Sequence, residues 1–305
     1  MNIFVTGASG YIGGSVAAAL IAAGHAVSGL ARSAQSAEAL EARGIAPVRG
    51  TLDDRDILAA AARAADVTVN AAHAGHRGAA EALLGALAGS GKTLVHTSGS
   101  SIVGTRAGGE LVEGVFDEDT TFTPTPQRAE RVAIDNAVRA AAQKGVRAIV
   151  ICPSLIYGRG RGLKAESMQV PWLIALARKS GVAKHIGSGA NRWSNVHIDD
   201  LVRLYAAAIG HAPAGAFYFA ENGESSMREL CEAISRMLGF GGRTQTMTVA
   251  AAAAEWGEGA AHDTMGANSR VRARRARAEL GWTPTGAPLI EEIERGCYAE
   301  DEGRL

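Results

Sequence analysis

The sequence predicts an α/β fold: a doubly wound parallel sheet covered by helices, with a smaller, mixed lobe towards the C-terminus. Three observations predict it. Short apolar runs alternate with helical stretches through the first half of the chain, the pattern of a parallel sheet buried on both faces. A glycine-rich turn joins the first strand to the first helix. After Pro153 the alternation fades.

In chain order, strands are expected near residues 3–6, 26–31, 47–50, 67–72, 93–97 and 147–152, with helices between them such as 12–23 and 54–65, closing near Gly24 and Asp66. Thr125 suits a helix N-cap and Pro126 the first helical position, and the helical pattern of 129–142 runs towards Gly145. Right-handed crossovers then set the strand C-termini along one edge, where ligands bind in open α/β sheets. Beyond Pro153 a Gly/Arg loop, Gly158 to Gly162, leads into a helix near 168–179. Further helices are expected at 199–209 and 227–238, with a strand at 216–220 returning to the main sheet. The chain divides accordingly: 1–157 forms the sheet domain, 195–222 returns to it, and 158–194 with 223–305 forms the smaller lobe. Five arginines fall within 270–277; Ala and Val between them at helical spacing read as a solvated face.

The 305 residues carry 31 basic and 31 acidic side chains, a balance that argues against nucleic acid or an anionic membrane as partner and favours a small ligand. Cys152, Cys231 and Cys297 have neither a pairing nor a metal-ligand spacing and read as reduced, structural thiols. The first residues lack the basic and hydrophobic regions of a signal peptide, and the alanine-rich runs are interrupted well short of a membrane span. A cytoplasmic protein without metal is expected.

Thr6-Gly7-Ala8-Ser9-Gly10-Tyr11-Ile12-Gly13 follows the first strand and opens the first helix. Gly7 permits the tight turn, Gly10 lets the backbone approach a pyrophosphate, and Gly13 lets the helix pack closely on the strand. The helix start presents unpaired N–H groups to phosphate, so Gly7, Ser9, Gly10, Tyr11, Ile12 and Gly13 are read as cofactor-binding in a Rossmann-type domain. At the end of the second strand, where a carboxylate would bind the ribose hydroxyls of NAD, stand Arg32 and Ser33. A guanidinium fork and a hydroxyl suit the 2′-phosphate of NADP.

The GxxGxxG spacing resembles the short-chain dehydrogenase/reductase superfamily, in particular its extended and atypical branches of epimerases, dehydratases and ketone reductases. The resemblance extends to 50–54, 66–72, 95–99, 153–158, 195–200 and 280–284. It implies that Leu52 and Asp53 lie at the adenine, that Ala71, Ala72 and His73 form the turn after the fourth strand, and that Thr97, Pro153 and Leu155 also meet the cofactor. It implies a homodimer through the helices after strands four and five. Relatives pair a catalytic tyrosine with a lysine four residues later, the lysine lowering the phenol pKa so that a proton can move while hydride is exchanged with nicotinamide.

That pair is missing. The tyrosine position falls near Pro126 and the lysine position near Glu130, with Gln127, Arg128 and Arg131 beside them; the five tyrosines, 11, 157, 205, 218 and 298, all lie outside this helix. The reactive strand-five hydroxyl aligns with Gly99, flanked by Ser98 and Ser100. Candidates for the chemistry are therefore Ser98, Ser100, His73, Tyr157 and Arg128, each weighed against a plain structural role. His197 reads as a brace between lobes, and Asp199 and Asp200 as carboxylates suited to a first helical turn. Three functions remain open: an NADP-dependent oxidoreductase of a small carbonyl or alcohol compound, a non-catalytic NADP-binding regulator, and a non-redox lyase or isomerase.

Overall fold

A computed structural model describes residues 1–302. Strands β1 Asn2–Thr6, β2 Ala26–Ala31, β3 Ala46–Arg49, β4 Val67–Asn70 and β5 Thr93–Thr97 alternate with helices α1 Tyr11–Ala22, α2 Ala34–Glu41, α3 Arg55–Ala64 and α4 Arg77–Leu87. After the short β6 Thr105–Arg106 come α5 Pro126–Ala140, β7 Arg147–Pro153, β8 Leu155–Tyr157, α6 Gln169–Ser180, β9 Ala183–Ile186, β10 Arg192–His197 and α7 Ile198–His211. The last third contains β11 Phe217–Ala220, β12 Glu224–Ser226, α8 Met227–Met237, β13 Thr244–Met247, α9 Val249–Trp256, the single turn α10 Glu258–Ala260, β14 Ala267–Asn268, α11 Arg274–Leu280, α12 Leu289–Arg295 and α13 Cys297–Glu302.

The expected Rossmann sheet has seven strands in the order β11-β7-β5-β4-β1-β2-β3, and every pairing is parallel. Its strands are apolar runs because both faces are covered. The order reverses at β1, where Ile3 lies beside Val27 on one side and Val67 on the other. This switch point opens a crevice at the strand C-termini. Helix α5 starts as its residues dictate: Thr125 is the N-cap, Pro126 occupies the first turn, and a 3₁₀ turn, Ala141–Lys144, ends at Gly145 with φ +70°.

Strand β11 joins the sheet beside β7, with Phe217 opposite Val150. Helix α7 packs on α1 and is held at its C-terminus by Arg147, whose guanidinium donates to the carbonyls of Ala208, Ile209 and Ala212 at 2.8–2.9 Å and to Thr93 Oγ1 at 3.0 Å. A charge on the last carbonyls of a helix also opposes its dipole. Arg147→Met should therefore cost about 3 kcal/mol, read as a lower urea midpoint; an unchanged midpoint would refute the anchor.

The smaller lobe has its own core around Leu155, Tyr157, Leu173, Trp193, Leu230 and Ile234. Its strands are short and paired across long sequence distances: β10 lies between β8 and β12, β13 beside β9, and β14 beside β6. Strand β10 bridges the two cores: Trp193 packs in the smaller one and Val196 in that of the main sheet. The core of the main sheet also takes Val271, Ala273, Ala276 and Trp282, from a stretch assigned above to the smaller lobe.

The arginine run is both solvated and paired: Val271, Ala273 and Ala276 are buried, while the Arg272, Arg274 and Arg277 side chains stay substantially exposed and still find carboxylates. Arg274 pairs with Asp117, Arg275 with Asp119 and Arg277 with Glu221, while Arg270, Arg272 and Arg192 converge on Glu224. The first two of these pairs tie the segment before α5 to α11.

Candidate functional site

Gly7 leaves β1 with φ +75°, and a Cβ there would stand 2.8 Å from the backbone of Ala71 and Ala72. Two loops at the switch point thus press together with no room for a side chain. At Gly13 a Cβ would lie 2.3 Å from Gly7 O, whereas at Gly10 it would meet only Gly7 O at 3.1 Å. The space in front of Gly10 is open. Gly10 N donates to Gly7 O, which closes the turn, and Gly10 O accepts from Gly14 N. Ser9 is exposed and Ile12 half-buried. Tyr11 is spent elsewhere: its ring is buried and its hydroxyl donates to Gly158 O at 2.7 Å. Only its backbone remains for a phosphate. The Gly/Arg loop therefore docks on α1, where Gly162 and Gly14 approach so closely that a Cβ on Gly162 would lie 2.6 Å from Gly14 Cα.

On the β2 side of the crevice, Arg32 is exposed at the strand end. Ser33 is the N-cap of α2, accepting from Ser36 N at 3.1 Å in a capping box; its hydroxyl already has a task. Leu52 is half-buried and Asp53 exposed. Asp53 Oδ1 sits 3.2 Å from His76 Nε2, and His76 Nδ1 accepts from Ala79 N as the N-cap of α4. His76 is a satisfied structural histidine.

The catalytic candidates scatter. His73 is exposed, its Nδ1 accepting from Gly75 N at 3.2 Å. Ser98 donates to Asp135 Oδ2 at 2.6 Å and Ser100 shares a hydrogen bond with Ser269 at 2.7 Å, both buried. Tyr157 is fully buried, edge-on to His197, and its hydroxyl donates to Ala287 O at 2.8 Å. Burial pushes that phenol well above the ordinary tyrosine range, so Tyr157 is a strut between segments rather than an acid. Thr97 bonds Tyr205 on α7 at 2.5 Å, behind the sheet. Leu155 is part of the smaller lobe's core, and Pro153 ends β7 opposite Ala220.

What meets at the end of β5 is a different set. Glu130 turns outward to a bidentate pair with Arg77 at 2.6 and 2.9 Å. Arg131, one residue on, turns inward. Its Nη1 donates to Ser101 Oγ at 3.2 Å, and a Cβ on Gly99 would lie 3.4 Å from it. A Cβ there would thus be in ordinary contact with the end of the Arg131 guanidinium. Arg128, one turn earlier and half-buried, faces Asp263 of the smaller lobe at 4.0 Å.

Beneath them runs a buried polar chain that the sequence reading missed. Thr6 Oγ1 donates to Asn70 Oδ1 at 2.7 Å, which leaves Asn70 Nδ2 to donate to His96 Nδ1 at 3.0 Å. His96 is then the neutral tautomer with its proton on Nε2, 3.6 Å from Asp135 Oδ1. Among the described residues neither of those two atoms has a hydrogen-bond partner, and both side chains are almost wholly buried. Burial pushes Asp135 up to about 7. Burial, and then the charge of Arg131, push His96 down to about 4. Asp135 also lines a cavity of about 320 Å³ walled by Phe122, Phe217 and Phe219.

Residues 3–218 match the NAD dependent epimerase/dehydratase family. The chain belongs to that family. It is 35% identical over 338 residues to oxidase ucsJ of Acremonium sp, covering 96% of this chain and 95% of the relative. It is 29% identical over 261 residues to a 2-alkyl-3-oxoalkanoate reductase of Stenotrophomonas maltophilia, covering 78% and 76%. Among solved structures it is similar to dTDP-glucose 4,6-dehydratase from Bacillus anthracis in complex with NAD, with TM-score 0.78, 19% identity and 100% and 97% of the two chains covered. UDP-glucose 4-epimerase from Thermotoga maritima gives TM-score 0.78 at 16% identity, covering both chains completely.

For a member of the NAD dependent epimerase/dehydratase family the glycine loop fits a dinucleotide: the turn is closed by Gly7 and Gly13, and the approach to Gly10 is clear. Among the described residues no group of three His, Cys, Asp or Glu side chains could hold a metal ion. No helix among them is long and apolar enough to cross a membrane.

Proposed function

We propose that this protein is an NADP-dependent oxidoreductase of a small carbonyl or alcohol compound, with Arg131 standing in for the usual tyrosine and lysine. The observation that carries this reading is the Arg131 guanidinium at the end of β5, against Gly99 and Ser101, at the same C-terminal edge of the parallel sheet as the glycine loop that follows β1. The names of two relatives, an oxidase and a reductase, support the same class.

Gly7, Gly10 and Gly13 with the first turn of α1 would hold the pyrophosphate, and Arg32 the 2′-phosphate. NADPH, when bound, supplies the hydride. A guanidinium does not give up its proton near neutral pH, so Arg131 acts by holding and polarising the reacting oxygen through charge-assisted hydrogen bonds. The proton for that oxygen comes from solvent.

Arg32 gives the first test. A charge-assisted contact to the 2′-phosphate contributes about 1.5 to 3 kcal/mol, so NADPH should bind roughly ten- to a hundredfold more tightly than NADH. Arg32→Glu should remove or reverse the preference. Equal affinities of the wild type for both dinucleotides by calorimetric titration would refute the assignment.

A further inference from the structure

Successive side chains of β11 point to opposite faces of the sheet, and the two faces are covered differently. Tyr218 points towards α11, where its hydroxyl donates to Glu279 Oε2 at 2.8 Å. Phe217 and Phe219 point to the α5 side, their rings edge to face at 5.1 Å and the Arg139 guanidinium 5.7 Å over the first of them. There the segment 117–122 crosses β11 in place of a helix. It is held by Glu118, whose carboxylate accepts from Phe219 N, Arg274 N and Arg275 N at 3.1–3.3 Å. A single strip of chain fills less space than a helix, and between it, α5 and β11 lies the cavity of about 320 Å³ that Asp135 lines. That volume is at the lower end of the range for small-molecule sites. Neither the glycine loop nor Gly99, Ser101 or Arg131 lines it, so it is separate from the places proposed for the cofactor and the reacting oxygen.

Carboxylates outnumber cations among its lining residues, with Asp117, Glu118, Asp119 and Asp135 against Arg139. Three of the four have partners: Asp117 takes Arg274 and Thr120, Asp119 takes Arg275, and Glu118 takes the backbone. Asp135 is 3% exposed; its Oδ2 accepts from Ser98, while its Oδ1 has no hydrogen-bond partner among the described residues. One turn away on either side in α5, Arg131 donates instead to Ser101 Oγ and Arg139 to Gly215 O. His96 Nε2 stays 3.6 Å off, beyond a hydrogen bond.

A buried carboxylate oxygen without a donor is costly, and aromatic rings attract cations. One kind of molecule answers both. We propose that this cavity is a second binding site, for a small aromatic amine in its ammonium form, whose ring packs among Phe122, Phe217 and Phe219 and whose N–H groups donate to Asp135. An anion would be set among four carboxylates. A purely apolar ring would leave Asp135 Oδ1 as it is.

The test titrates the whole protein, by ligand-observed nuclear magnetic resonance at neutral pH, with four molecules that share one ring: benzylamine, benzyl alcohol, toluene and benzoate. Benzylamine is expected to bind about tenfold or more tighter than toluene, with benzyl alcohol between them and benzoate weakest. Saturating NADP⁺ should leave the benzylamine affinity unchanged. Asp135→Asn should bring benzylamine down to the level of toluene. Asn136 is exposed and also lines the cavity, so Asn136→Lys tests the same charge preference without touching a buried group; it should weaken benzylamine several-fold and leave toluene as it was. Benzylamine that binds no better than toluene or benzoate, that does not bind at all, that NADP⁺ displaces, or that both variants bind as the wild type does would in each case overturn the proposal.

Discussion

Gly10→Val is expected to abolish NADPH binding while the protein stays folded. The two outcomes separate because of what surrounds this glycine. Its backbone is extended, with φ −86° and ψ 178°, a conformation open to any residue. A Cβ would press on Gly7 O at 3.1 Å and meet no other heavy atom within 4 Å. The branched side chain must then project into the space where a pyrophosphate meets the N–H groups of α1. Gly13→Val is a different experiment, since a Cβ at 2.3 Å from Gly7 O would force the loop apart and lower stability too. A folded Gly10→Val protein, checked by far-ultraviolet circular dichroism and an unchanged urea midpoint, that still bound NADPH normally would mean that the dinucleotide approaches by another route.

The second large effect concerns pH. Asp135 has its folded pKa raised from 3.8 to about 7, so its contribution to stability is full below the ordinary carboxylate value and is lost as pH rises towards 7. His96 has its folded pKa lowered from 6.5 to about 4, so its contribution is full above 6.5 and is lost as pH falls towards 4. Each swing is on the order of 3 to 4 kcal/mol, and they run in opposite directions across the same window. In the wild type they largely cancel. His96→Phe should expose the Asp135 trend, with the urea midpoint falling between pH 4.5 and 6.5. Asp135→Asn should expose the His96 trend, with the midpoint rising over that interval. The slopes carry the result, because each substitution also shifts the level by removing a buried polar contact. Two variants with the same slope would disprove the opposition.

The parts of this fold legible from sequence are those in which a residue's neighbours in sequence decide its state. The continuous apolar strands, the glycine turn and the start of α5 at Thr125 and Pro126 are of that kind. Strand β11 was also readable, since Phe217–Ala220 is as apolar as the strands it joins. The small strands were not. β8 has three residues and β9 four, and their partners arrive some dozens of positions later, so no local period announces them. The ion pairs of the arginines in 270–277 were hidden for the same reason: the carboxylates facing Arg274 and Arg275 lie 156 or 157 positions earlier in the chain.

The site was legible in its cofactor half and obscure in its reacting half. Glycines in a phosphate turn are fixed by backbone geometry, which sequence records directly. The roles of Glu130 and Arg131 depend on which side of α5 each occupies, and a one-residue uncertainty in helical phase exchanges outward for inward. His96 carried a weak signal, a titratable residue within the otherwise apolar run Leu94-Val95-His96. Nothing beside it in sequence pointed to Asp135, which reaches it only after the chain has crossed to the next helix.

The late arrival of β11 bears on how the chain assembles during synthesis. Ser154 and Ala220, hydrogen-bonded at the end of the sheet, are 66 positions apart. A chain emerging N-terminus first can form β1 to β5 and β7 and still present the outer edge of β7 bare, its backbone donors and acceptors along Val150 to Pro153 awaiting a partner. An open edge of that kind will pair with any extended segment that reaches it, including the same strand of another nascent copy. The interval in which residues 154–216 are being added is therefore the stage of greatest exposure to misassembly, and it closes when β11 docks.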